Sequence, residues 1–318
     1  MRAVAHCSAQ SPPVTVELIR WAAEVIGAHV RRTPVRVCEL DGRPVYLKLE
    51  NRQETGSFKV RGALAALAGY RERGIKGPWV TASAGNHGIG LAYAARHLGA
   101  GPVVVFVPSG TPQAKLRRLQ ALGAEVRLEG ADFPQTERAA RAFAATSGLP
   151  YISAYNDPFV IAGQGTVAVE LLEEIADPAM VFIPAGGGGL LGGSALWLRS
   201  HRPRIRIWGV QSTHTPSLYN ALYGTHLPER TTLAEGLAGG IEENALTLPL
   251  IRELVDGICL VNEPEIWDSV YWAHRRLGER IEASAAVALA AVRFRSWSEP
   301  GPWVAIITGA NTDLLPAQ

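Results

Sequence analysis

The sequence predicts an α/β fold of two open, mostly parallel, twisted sheets flanked by helices. Three observations carry this. Short β-rich runs alternate with runs of helical period, the pattern of parallel strands joined by right-handed crossovers. The run Val103–Val107, VVVFV, is apolar throughout, as a parallel strand buried on both faces must be. The chain has 318 residues, 47% hydrophobic and 19% charged, which excludes wholesale disorder and leads us to expect two lobes. One lobe inserted in the other fits this length, with residues 1–75 plus 154–318 as a large domain and 76–153 as a small one.

The elements follow in order. Leu18, Ile19, Ala22, Val25 and Ile26 share one helical face, and Pro34 lies beyond its stop. Tyr46–Glu50 reads as a strand. A helix is expected from about Lys59, a strand at Trp79–Ala82 and a helix from about His87. After VVVFV, Gln113–Leu122 is helical and Ala124–Glu129 alternates as a strand. Later strands are expected at Met180–Ile183, Ile205–Val210, Ile258–Val261 and Val304–Ile307. The uncharged run Ala179–Leu198 matches a membrane span in length, but its six glycines and Pro184 argue for a strand, a glycine loop and a helix start.

Several function classes are excluded. Lys plus Arg is 31 against 29 Asp plus Glu, a net charge of +2, and no basic stripe interleaved with aromatics marks a nucleic-acid binder. The densest basic cluster, Arg199–Arg206, reads as a helix end and loop. Cys7, Cys38 and Cys259 form no CxxC pair, so neither a disulfide framework nor a zinc ribbon is supported, and reduced thiols in a cytoplasmic protein are expected. The N-terminus lacks the apolar core of a signal peptide. HExxH, GxSxG and metal-ligand spacings are missing, so no metal site is expected.

Four features carry chemistry. In Gly56-Ser57-Phe58-Lys59-Val60-Arg61-Gly62 a lysine stands where a loop enters a helix. The helix dipole and partial burial both lower its pKa, and a neutral amine can form a Schiff base with an aldehyde. Taken alone, an ordinary solvated lysine is the commoner reading. In Thr81-Ala82-Ser83-Ala84-Gly85-Asn86-His87-Gly88 a strand gives way to a helix, where backbone N–H groups make an anion site suited to a carboxylate, or simply a capped turn. In Gly186-Gly187-Gly188-Gly189-Leu190 four glycines join a strand to a helix, as needed where backbone must approach a phosphate. Gly187, Gly189 and Gly192 satisfy GxGxxG, yet no Asp or Glu follows between Leu190 and Pro228, and a P-loop's Gly-Lys-Ser/Thr is missing. Last, Thr308-Gly309-Ala310-Asn311 follows the final strand and places a hydroxyl at a strand's C-terminal end.

Lysine, anion turn, phosphate cradle and hydroxyl, in that order, resemble the fold-type II pyridoxal-phosphate enzymes, and among them the threonine/serine dehydratases and serine racemases. The similarity runs from KLENRQETGSFKVRGA to TGANTD. It implies two sheets with pyridoxal 5'-phosphate in the interdomain cleft. By that resemblance Lys59 carries the cofactor as a Schiff base and Phe58 packs beside it. Asn86 bonds the ring's phenolic oxygen, Gly186 to Leu190 hold the phosphate, and Thr308 meets the pyridine nitrogen where the family usually has Ser. The turn Ser83, Ala84, Gly85, Asn86, His87 is similar to the clamp for the substrate carboxylate, with the backbone of His87 as its contribution. A PLP-dependent threonine and serine ammonia-lyase is the activity implied, in a homodimer with a small amino-acid substrate and no nucleic acid or membrane.

Departures narrow this. Serine racemases carry a serine at the position of Ala84, and a methyl cannot transfer a proton, so poor racemisation is expected. Their divalent-cation site uses two acids that Gln211–Ser217 lacks. The family's Asp in a later loop is Glu235, which puts the shape of the cofactor face in question. The chain stops soon after Thr308, so no C-terminal regulatory domain or isoleucine feedback is expected. Rivals on the same scaffold are dehydration of 3-hydroxyaspartate or phenylserine, serine racemisation and β-replacement. Outside catalysis the rival is a phosphate-ligand-binding regulator. No basic residue lies within the motifs to meet an anionic side chain; Tyr155 and Asn156 are candidates for the substrate pocket's lining.

Overall fold

The computed structural model describes residues 12–40 and 42–312. The readings of Cys7, of the N-terminal segment and of Asp313 lie outside the described residues. Eleven helices and nine strands form two sheets among the described residues. Helix α1 is Val16–Ile26, and strands β1 (Val35–Leu40) and β2 (Arg43–Leu49) form an antiparallel hairpin. Then follow α2 (Lys59–Glu72), β3 (Trp79–Ala82), α3 (Asn86–His97), β4 (Val103–Val107), α4 (Gln113–Ala121), β5 (Glu125–Leu128) and α5 (Phe133–Ser147). The chain continues as α6 (Pro158–Glu174), β6 (Met180–Pro184), α7 (Gly189–His201), β7 (Arg206–Ser212), α8 (Ser217–Tyr223) and α9 (Thr247–Leu254). It ends with β8 (Gly257–Val261), α10 (Glu263–Trp272), α11 (Ala283–Phe294) and β9 (Trp303–Ile307).

The larger sheet has six strands in the order β1-β2-β9-β6-β7-β8, parallel except at the β1 edge. The smaller sheet, β3-β4-β5, is parallel throughout and lies in sequence between β2 and β6 of the larger. Strands β4, β6 and β9 are buried at every position, which is why they read as unbroken apolar runs. The uncharged run Ala179–Leu198 is β6, a loop and the start of α7. No helix among the described residues is long and apolar enough to cross a membrane. Strand β1 was not expected from the sequence.

Capping and packing place the helices that matter for the site. The Asp157 carboxylate caps α6, accepting from the N–H of Phe159 at 2.9 Å and of Val160 at 3.0 Å, with Pro158 at the first position. Helix α6 then passes between α2 and α7, and small residues mark both crossings. A Cβ built on Gly163 would lie 2.5 Å from the Arg61 carbonyl oxygen, and one on Gly193 would lie 2.3 Å from the Ile161 carbonyl oxygen. The Ile161–Thr166 run thus holds the start of α2 and the start of α7 close together.

A buried ionic cluster anchors the same end of α2. The Arg61 guanidinium donates twice to Glu50, from Nε and Nη2 at 2.8 Å each, and to both oxygens of Glu170 at 2.7 and 2.9 Å. Lys48 donates to Glu174 at 3.0 Å and pairs with Glu170 at 2.8 Å. Each buried charge is therefore met by an opposite one with matched hydrogen bonds, the condition under which buried ions are tolerated.

Candidate active site

Lys59 is the first residue of α2, and the loop before it is sewn to the segment after β9. The Phe58 N–H donates to the Thr308 carbonyl at 3.1 Å, the Ala310 N–H to the Gly56 carbonyl at 2.9 Å, and Ser57 bridges Gly309. The first and fourth sequence features are thus one structural unit. Lys59 Nζ donates to the Ala154 carbonyl at 2.9 Å and lies 5.2 Å from the centre of the Phe58 ring. Burial draws the amine from 10.5 down to about 8, with the Glu282 carboxylate opposing that shift.

The turn from Ser83 to His87 faces the same region. Ser83 Oγ accepts the Gly85 N–H at 3.2 Å, and the first α-helical bond runs from the Ile89 N–H to the Gly85 carbonyl at 3.1 Å. The N–H groups of Asn86 and His87 therefore have no helical acceptor and stand at the positive end of α3. The His87 side chain turns inward, 2% exposed, with Nε2 3.2 Å from the Ile152 carbonyl. Burial foremost, then the Lys59 charge, takes its pKa to about 3, so the ring is neutral and donates from Nε2. The backbone of His87, not its ring, is what the turn offers.

Asn86 leads to a residue that the sequence reading missed. Its Nδ2 donates to both oxygens of Glu282, at 2.9 and 3.1 Å. Burial pushes the Glu282 carboxyl up to about 7, against Asn86, the Asn311 N–H, Lys59 and Arg118, all of which favour the ionised form. Asn311 is the second missed residue: its Nδ2 donates to Asn86 Oδ1 at 2.6 Å. Arg118, from α4, is the third; it lies outside every motif yet bears on Glu282 and donates to the Thr55 carbonyl at 3.3 Å. The one signal for Glu282 is an acid directly before the alanine-rich run that forms α11.

The glycine loop supplies the opposite wall. Gly188 has φ +88°, left-handed backbone that a side chain strains. The first bond of α7 runs from the Gly192 N–H to the Gly188 carbonyl at 2.7 Å, which leaves the N–H groups of Gly189 and Leu190 without helical acceptors. Thr247 Oγ1 donates to the Gly187 carbonyl at 2.8 Å, and Leu237 backs Gly186. Ala154, the acceptor of Lys59, precedes Tyr155, whose ring packs on Gly187; two adjacent residues link the amine to the glycine loop.

An amine of lowered pKa, two helix N-termini aimed at anions and a buried carboxylate therefore converge. Residues 26–309 match the family of pyridoxal-phosphate dependent enzymes. This chain belongs to that family. The L-threonine ammonia-lyase of Geobacter sulfurreducens is 37% identical, over 93% of this chain and 75% of its own length. Among solved structures, maize serine racemase aligns with a TM-score of 0.88 and 30% identity over 95% of each chain. The serine racemase of Dictyostelium discoideum gives 0.84 and 32%, over 95% of this chain and 99% of that one. A solved bacterial-type threonine deaminase gives 0.85 and 32%, over 95% of this chain and 100% of that one.

The residues present fit the family's cofactor. An aldehyde needs a neutral amine, and Lys59 supplies one more readily than a solvated lysine; a phosphate needs unpaired N–H groups, and the start of α7 has them. Thr308, 3% exposed, closes the end of β9 with a neutral hydroxyl. Two expectations are corrected. Glu235 does not shape the cofactor face: its side chain is 77% exposed and pairs with Lys115 at 3.1 Å. Asn156 does not line a substrate pocket through its amide oxygen, which accepts the Leu246 N–H at 2.9 Å, because that loop needs pinning beside Tyr155. In the stretch Gln211–Ser217, Gln211 Oε1 accepts the Tyr219 N–H at 2.9 Å, and Ser212 is tied instead to Glu263.

Proposed function

We propose that this protein is an ammonia-lyase that eliminates the β-hydroxyl of L-threonine and L-serine, giving 2-oxobutyrate or pyruvate and ammonia. The ammonia-lyase and deaminase relatives support the substrate class. The observation that carries the chemistry is Lys59: a desolvated amine at the head of a helix, 2.9 Å from one carbonyl and in the field of one buried acid.

Pyridoxal phosphate, when bound, supplies the electron sink that acidifies Cα. Lys59 is its anchor and, once displaced by the substrate amine, the base that takes the Cα proton onto Nζ. Gly186, Gly187, Gly188, Gly189 and Leu190 hold the phosphate, Phe58 flanks the ring, Asn86 faces its oxygen substituent and Thr308 its nitrogen. The N–H groups of the Ser83–His87 turn hold the substrate carboxylate and so fix which bond at Cα is presented to Lys59. Thr308 is neutral and cannot keep a ring nitrogen protonated as an Asp would, which favours prompt loss of the β-hydroxyl over transamination. The enamine set free is hydrolysed by water to the 2-oxo acid and ammonia. The same reading includes a homodimer in the cytoplasm whose inserted lobe spans residues 76–153.

The test is a coupled assay of 2-oxobutyrate formed from L-threonine, beside the absorbance spectrum of the purified protein. Product from the native enzyme, and none from a folded Lys59→Ala variant, is the expected result. A perturbed cofactor band without product would move the substrate to another β-substituted amino acid. Turnover retained in Lys59→Ala would overturn the mechanism.

A further inference from the structure

Asn311 lies at the edge of the site, and its side chain makes two contacts of fixed sense. We propose that Asn311 is a positioning residue that locks the side-chain amide of Asn86 in one orientation; this rests on the reading above that Asn86 faces the cofactor ring. The two ends of an amide are nearly alike in shape, so their assignment must come from partners. The Thr55 backbone carbonyl can only accept, and it lies 2.9 Å from Asn311, so that end of Asn311 is its NH2. The same NH2 is 2.6 Å from Asn86, so the atom of Asn86 that meets it must be the acceptor, Oδ1.

The far end of the chain of contacts agrees. The remaining end of Asn86 lies 2.9 and 3.1 Å from the two oxygens of Glu282, and a carboxyl group keeps an accepting oxygen in either protonation state. The direction of donation therefore runs from Asn311 to Asn86 to Glu282, fixed by a backbone carbonyl that cannot turn over. Gly56 leaves the room this requires: a Cβ there would lie 2.5 Å from Asn311 Oδ1. Without Asn311, nothing among these contacts prevents Asn86 from turning Oδ1 toward the acid or leaving it. With Asn311, Asn86 presents N–H groups toward Glu282 and the Lys59 side of the site. Asn311 itself acts only through Asn86.

The test uses the cofactor-loaded enzyme and two readouts: the pH titration of its visible absorbance, and kcat and KM for L-threonine. The variants are Asn86→Ala, Asn311→Ala and the double variant. Should Asn311→Ala fail to fold, the near-isosteric Asn311→Asp, which loses both donors, carries the same comparison. We expect Asn86→Ala to shift the spectral titration and Asn311 variants to shift it in the same direction. The double variant should shift no further than Asn86→Ala alone, since the two act in series. Turnover should fall about tenfold in Asn311→Ala with KM changed less, the lower end of what outer-shell partners cost at metal sites. A silent Asn311 variant beside a responsive Asn86→Ala overturns this inference and spares the reading of Asn86. Additive shifts in the double variant also overturn it, because Asn311 would then act on its own. A silent Asn86→Ala removes Asn86 from the ring and the inference with it.

Discussion

The ring of Tyr155 occupies the space that a side chain on Gly187 would need: a Cβ built there would lie 2.3 Å from Tyr155 Cγ. Tyr155 cannot simply swing away, because its hydroxyl accepts the Glu242 N–H at 3.0 Å and the preceding carbonyl holds Lys59. Gly187→Ala should therefore push the ring and the glycine loop apart. Overpacking of this kind costs about 1–3 kcal/mol. Dialysis followed by absorbance should show weakened retention of the cofactor, with a lowered unfolding midpoint. Adding Tyr155→Ala to Gly187→Ala should restore part of the stability. If the single variant keeps its cofactor as the native protein does, the ring is not a fixed wall of this loop.

Helix α6 predicts a second effect at a distance. A Cβ on Gly163 would meet the Arg61 carbonyl at 2.5 Å and Gly62 Cα at 2.7 Å, both backbone atoms that cannot rotate away. Gly163→Ala must then move α2 relative to α6, and Lys59 begins α2. We expect destabilisation of about 1–3 kcal/mol by overpacking, and a larger fractional loss of turnover than of cofactor content. Gly240→Ala is the control, since a Cβ at Gly240 meets nothing within 4 Å. Native turnover in Gly163→Ala would show that the α2–α6 crossing does not set the position of Lys59.

These two glycines mark how far the sequence was legible. Gly187 stood out because four consecutive glycines are hard to explain without a ligand, whereas Gly163, inside an apolar helix, carried no local signal. The strands were readable where burial on both faces wrote an unbroken apolar run, as in β4, β6 and β9. Strand β1 escaped because Arg36, Cys38 and Glu39 interrupt the apolar positions of an edge strand. Lys59, the Ser83–His87 turn and Thr308 sit at element ends, where local spacing already reveals a loop poised for chemistry. Glu282 meets Asn86 across 196 residues of chain, and only the folded structure brings them together. Asn311 stood in a motif that was noticed for its neighbour Thr308, yet its role depends on Thr55 and Asn86, which are remote in sequence.

Ala84 tests which reaction the site permits. It is half-buried in the turn between β3 and α3, next to Ser83 and Gly85. A methyl group there can neither give nor take a proton, so only the Lys59 face of Cα has a group that exchanges one. Ala84→Ser places a hydroxyl in that turn, and D-serine formed from L-serine should rise several-fold while elimination persists. Chiral chromatography of the reaction mixture measures both products. Unchanged D-serine formation would mean that Ala84 does not face the second side of Cα.

Glu282 gives a prediction in pH whose sign can be worked out. Its carboxyl is raised from 4.5 to about 7 in the folded protein, with burial as the leading cause. Below 4.5 both folded and unfolded forms hold the proton and burial of the neutral acid costs little. Between 4.5 and about 7 the unfolded chain has released that proton while the folded one retains it, so stability falls as pH rises, and the loss is complete above 7. Lys59 adds the opposite slope only above about 8, where the folded amine is neutral and the unfolded one is still charged. A comparison of the cofactor-stripped protein with Glu282→Gln by urea unfolding, from pH 5 to pH 7.5, therefore isolates the acid. The glutamine keeps an acceptor for Asn86 Nδ2 but cannot ionise, so the variant should gain stability relative to the native chain as pH rises through this window. A difference that stays flat across it would mean that Glu282 titrates as a solvated acid does, and that its enclosure by Asn86, Asn311 and Lys59 leaves its proton unaffected.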